Sequence, residues 1–166
     1  MRKALLIACI GAFAIACGAP ANTTNTNSTA SNSSTPATMS STPVAPASPL
    51  SSLKASVGKT AVDIKLWDNK DVGPRLEKLM GADYATMKKF WGTESPIKAD
   101  SDVLMMSGCE PHNCGANQYV IFIDTARDNI NVVHIKNGVA KDYKEKGDIP
   151  LPKQFADELS ALKPGK

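Results

Sequence analysis

"NQYVIFIDTARDNINVVHIKNGV", residues 117–139, decides the fold of this chain. It holds two apolar runs, 117–124 and 129–136, rich in β-branched and aromatic residues and too short for ordinary helices. Such runs read as strands. Asn137-Gly138 carries the signature of a tight hairpin turn, because both central residues of that turn need a positive φ. It leads into a more polar strand around "VAKDYKE", 139–145. Immediately upstream, "DVLMMSG" at 102–108 reads as a further strand, joined to 117–124 by "CEPHNCGA". Strands that follow one another through short connections form an antiparallel meander.

Outward from the meander the period changes. "DVGPRLEKLMG" (71–81) places Leu76, Leu79 and Met80 on one helical face and ends at Gly81, a helix stop. "ADYATMKKFWG" (82–92) repeats the pattern with Tyr84, Met87 and Trp91, and "LPKQFADELSAL" (151–162) presents Phe155, Leu159 and Leu162. The expected fold class is therefore α+β: an antiparallel β-sheet meander with flanking helices, in a single small domain over residues 53–166. The cysteine loop joins the first two central strands and is expected at one edge of the sheet. Trp67 and Trp91 read as packing residues.

Further out still, the N-terminus is a different polymer. Arg2 and Lys3 precede an apolar run from Ala4 to Ala16 that ends at Cys17. A basic start, a short apolar stretch and a small residue before the cut describe a secretory signal. The run is shorter than the roughly 20 residues a membrane-spanning helix needs. Ala14-Ile15-Ala16 before Cys17 resembles a bacterial lipoprotein signal, which implies a signal peptide over 1–16 and a diacylated Cys17. Gly18 stands where an Asp would resemble an inner-membrane retention signal, so the outer membrane of a Gram-negative cell, facing the periplasm, is the expected location. Residues 18–52 contain no charge and are mostly Ser, Thr, Asn, Ala and Pro. With so little apolar surface to bury they should stay disordered. The expectation is a tether, 17–52, with a reach of roughly 30–35 Å.

All 16 acidic residues and all but two of the 19 basic ones lie in 53–166, so the domain is nearly neutral. It has no basic stripe, which argues against a nucleic-acid partner. Of the four cysteines, Cys9 leaves with the signal and Cys17 takes lipid. Cys109 and Cys114 remain, and an even remainder at short spacing in an oxidising compartment reads as a disulfide. Closing so small a loop stabilises by only about 2 kcal/mol, so its better use is to shape the loop.

Other chemistries fit the loop less well. A c-type haem needs two residues between its cysteines and a histidine after them, and neither feature is present. Zinc held by Cys109, His112 and Cys114 would crowd three ligands into six residues, with no second cluster elsewhere. Cysteine nucleophilic catalysis needs a free thiolate, which a disulfide removes. His134, the other of the two histidines, alternates with Ile130 and Val132 at strand spacing and reads as a structural histidine on a sheet face. No paired-carboxylate or phosphate-loop motif occurs. The chain is not expected to be an enzyme, nor to hold a metal or cofactor.

"SGCEPHNCG" (107–115) resembles the Cys-x-Pro-His-Asp-Cys-Gly loop of the inhibitors of vertebrate lysozyme. Cys109, Pro111, His112, Cys114 and Gly115 match position by position, and Asn113 stands where that loop has Asp. The resemblance implies that the loop enters the active-site cleft of a c-type lysozyme and that His112 meets its catalytic carboxyl groups. Pro111, His112, Glu110 and Asn113 would then be the partner-binding residues. The alternative is an envelope lipoprotein of the same fold that binds another protein, an assembly factor or a wall-attacking effector. A metal or redox module is the more distant possibility.

Overall fold

The computed structural model describes residues 47–163. The signal peptide, Cys17 and the tether up to residue 46 lie outside the described residues. The strands are β1 (Thr93–Glu94), β2 (Lys98–Asp100), β3 (Val103–Cys109), β4 (Asn117–Asp124), β5 (Asn129–Lys136) and β6 (Val139–Lys144). All pairings are antiparallel, in the order β1-β3-β4-β5-β6, with β2 also on β3. The meander read from the sequence is present. At the β5–β6 turn Asn137 has φ 49° and Gly138 φ 78°, the positive pair that the hairpin signature demands.

Helices α1 (Gly73–Met80), α2 (Asp83–Phe90) and α3 (Lys153–Leu162) complete the α+β domain. Register assigns the faces. Tyr119 lies opposite His134, Ile121 opposite Val132 and Ile123 opposite Ile130. This side packs with Leu76, Met80, Tyr84 and Met87 of α1 and α2. The alternate residues, Met105, Val120, Phe122 and Val133, pack with Ile149 and Phe155, and with the partly buried Leu151, Leu159 and Leu162. Antiparallel sheets commonly leave one face wet and alternate apolar with polar residues. Here helices cover both faces, which is why Val120, Ile121, Phe122 and Ile123 are consecutive and all buried.

Two features depart from expectation. The packed chain begins ahead of residue 53: Pro49–Ser56 forms a 3-10 helix whose Leu50 and Leu53 are buried in the core. Ser48 caps it, accepting from Leu50 N–H at 3.1 Å and donating to Asp128 at 3.2 Å. A boundary drawn from Ser/Thr/Pro bias misses one leucine that the folded core captures. The cysteine loop, moreover, stands at the end of two interior strands, with β1 and β2 outside β3, so it caps the sheet's end instead of running along its side.

Arg75 pins α1 to the sheet. Its guanidinium donates to Glu145 at 2.8 and 2.6 Å and to the Asp128 carboxylate at 2.8 Å. Lys146 also donates to Asp128, and these hydrogen bonds, Lys146 first and then Arg75, hold its carboxyl down at about 2. A carboxylate with a depressed folded pKa contributes stability that is complete above its unfolded pKa of about 3.9 and is lost as pH falls through the folded value. Asp128→Asn should therefore flatten the dependence of unfolding free energy on pH between about 4 and 2. Urea titrations across that window would show it, and parallel wild-type and variant curves would remove Asp128 from the acid response.

Candidate functional site

The loop between β3 and β4 is built by its own backbone. Glu110 N–H donates to Asn117 C=O at 3.2 Å, Asn113 N–H to Glu110 C=O at 2.9 Å, and Ala116 and Asn117 N–H both to Asn113 C=O at 3.0 Å. Cys109 and Cys114 are disulfide-bonded, as their spacing suggested. Their sulfurs therefore offer no thiolate for nucleophilic attack or metal ligation. Asn137 N–H donates to Ala116 C=O at 2.8 Å, so the β5–β6 turn steadies the loop from one side. Pro111, His112 and Asn113 are exposed. His112 has φ 61°, in the left-handed region that a β-carbon disfavours by roughly 1–3 kcal/mol. The disulfide and the cross-bonded backbone of the loop hold the histidine there.

A second wall supports the loop, built by residues the sequence marked only as packing or as a helix stop. Trp91, the residue after α2, lies flat on Gly108 of β3: a β-carbon at Gly108 would fall 2.2 Å from its indole. The indole meets Trp67 edge-on at 5.1 Å and donates to Glu94 at 2.9 Å. Gly92 follows, donating to Cys109 C=O at 3.2 Å. The Pro111 ring rests on it, where a β-carbon would approach to 2.5 Å. Trp91-Gly92 and Gly108-Cys109 were the only signals in the sequence. Neither says that the two glycines are contact surfaces.

Side-chain polarity runs from the loop into the sheet. Glu110 Oε2 accepts from Asn113 Nδ2 at 2.8 Å and from Asn117 Nδ2 at 3.3 Å. Those bonds, Asn113 first, hold the Glu110 carboxyl below the usual glutamate value. The Asn117 amide nitrogen donates to Glu110, so its Oδ1 accepts from His134 Nε2 at 2.8 Å, which places the ring proton on that nitrogen. His134 stacks on Tyr119 with centroids 4.0 Å apart, and burial pushes its pKa down. It is the sheet-face histidine expected, apart from the loop tip. Among the described residues, no three His, Cys, Asp or Glu side chains gather as a metal site.

The family model described as Inhibitor of vertebrate lysozyme (Ivy) matches residues 71–165, from the approach to α1 through α3, with the whole stapled loop inside. The chain belongs to that family. Neither the curated proteins nor the solved structures include a significant match to it.

In this member of the inhibitor of vertebrate lysozyme family, the four loop residues singled out from the sequence do not share one environment. Pro111, His112 and Asn113 form the exposed rim, whereas the Glu110 carboxylate turns back on Asn113 and Asn117. A carboxylate so engaged is not aimed outward from the tip. The disulfide closes the loop without joining distant parts of the core, so Cys109→Ser/Cys114→Ser should leave a folded domain and a weakened partner site. Circular dichroism and a binding titration, read together, check this. Complete unfolding of the double variant would make the bridge a structural requirement.

Proposed function

We propose that this chain is a lipid-anchored, non-enzymatic inhibitor of c-type lysozyme that plugs the glycosidase cleft with its stapled loop. The observation that carries the reading is His112: exposed, and fixed in a left-handed conformation at the tip of a disulfide-closed loop. A retaining glycosidase holds two carboxyl groups about 5–5.5 Å apart. An imidazole carries nitrogens on opposite edges and can bond one carboxyl with each. Pro111 fixes a backbone torsion, the disulfide fixes the loop ends, and Gly92 supports the proline ring. Each reduces the freedom lost on docking, which is how a preorganised inhibitor gains affinity. The test is a titration of the purified domain, with its Ser48–Ser56 segment retained, against c-type lysozyme and a lysozyme of another class. Undiminished activity of the c-type enzyme at saturating protein would sink the reading.

Lipidation of Cys17, an outer-membrane location facing the periplasm and a disordered tether would place this domain where lysozyme reaches peptidoglycan. Cys17→Ser should release the protein from membranes, whereas Cys9→Ser should not. Membrane fractionation of the two variants decides between the cysteines, and equal retention of wild type and Cys17→Ser would refute the anchor.

A further inference from the structure

Glu110 and Asn113 flank the Pro111-His112 tip and meet twice, once through the backbone at 2.9 Å and once through side chains at 2.8 Å. The same carboxylate oxygen reaches Asn117, the first residue of β4, which is buried and held by His134 at 2.8 Å. A continuous chain of hydrogen bonds thus runs from the tip to the sheet face, with Glu110 at its centre.

We propose that Glu110 is a positioning residue: its carboxylate braces the His112 tip by accepting from Asn113 and Asn117, and it requires an amide, not a carboxylate, at position 113. This rests on the reading of the loop as a lysozyme plug. Both amides donate to Oε2, so the acceptor is matched to two donors, and hydrogen bonds to an ionised group are the stronger kind. The positive charges of Lys89 in α2 and Lys136 in β5 also favour the charged form of Glu110, whose pKa the Asn113 and Asn117 hydrogen bonds lower. A carboxylate in place of Asn113 would set two anions against each other and remove a donor. Asn113, which stands where the resembling loop has Asp, supplies the amide donor that the Glu110 carboxylate uses.

The experiment compares wild type, Asn113→Asp, Glu110→Gln and Asn113→Asp/Glu110→Gln for lysozyme inhibition and melting temperature. Asn113→Asp should weaken inhibition about ten-fold at neutral pH with little change in melting temperature. Relative to wild type at each pH, the defect should shrink toward about pH 4.5, where the facing carboxylates share a proton. Glu110→Gln alone should be milder, since its amide oxygen still accepts. The double variant should recover to within about three-fold of wild type, because the introduced glutamine amide donates to the introduced carboxylate. Wild-type inhibition by Asn113→Asp at neutral pH, or a double variant no better than Asn113→Asp, overturns the brace. If wild type itself fails to inhibit lysozyme, the plug reading falls and the brace is judged separately by NMR titration of the Glu110 carboxyl. Its midpoint should rise in Asn113→Ala, and an unchanged midpoint overturns the proposal.

Discussion

His112→Ala is expected to weaken lysozyme inhibition by roughly 10²-fold or more while the domain stays folded. In the proposed complex the ring makes at least two hydrogen bonds to charged or partly charged carboxyl groups, each worth about 1.5–3 kcal/mol. Truncation removes both and leaves the partner's carboxyls unpaired. The cost to the fold is small because the residue is exposed. His112→Gly sharpens the test: glycine accepts the φ of 61° without strain, so the melting temperature should hold or rise while inhibition is still lost. His134→Ala is the control. It removes the stack on Tyr119 and the bond to Asn117, and should therefore affect stability more than inhibition. Full inhibition by His112→Ala would mean that the loop is not the plug.

The second large effect belongs to Trp91. Its indole is nearly fully buried, covers Gly108 and stands edge-on to Trp67. Trp91→Ala should cost about 3–5 kcal/mol, the range for truncating a large buried aromatic. For a domain of this size the melting temperature should drop by more than about 10 °C. Inhibition should weaken as well, because the adjoining Gly92 carries Pro111. Gly108→Ala attacks the same contact from the other side, placing a methyl group inside the indole's van der Waals surface. Overpacking of that kind costs about 1–3 kcal/mol. The two changes should not add: with the indole gone, a methyl group at Gly108 has room and Gly108→Ala should cost little more. Strict additivity in thermal unfolding would show that the two residues do not depend on each other.

The sequence by itself determined the elements whose causes are local. Three apolar runs, two of them rich in β-branched residues, became β3, β4 and β5, and Asn137-Gly138 became the turn into β6. Gly81 ended α1, with φ 56°, and a close cysteine pair became a staple. Turn chemistry, side-chain period and cysteine spacing act over a few residues, so a linear reading reaches them. The loop's likeness to a lysozyme-inhibitor motif was legible for the same reason, and the family match agrees with it.

Tertiary structure alone decided what depends on residues distant in sequence. Leu50 is buried because the core formed by α1, α2 and the sheet receives it, although its local composition matches the tether. β1 and β2, two and three residues long, exist because β3 offers them an edge. Gly92 and Gly108 became contact surfaces only when Pro111 and Trp91 were laid on them. The direction of the Glu110 carboxylate was open in the sequence, and it was settled by Asn113 together with Asn117, which His134 on the neighbouring strand holds in place. A side chain's exposure and direction follow from what packs against it. For this loop those neighbours come from α2, β4 and the β5–β6 hairpin, and no window along the chain contains them all.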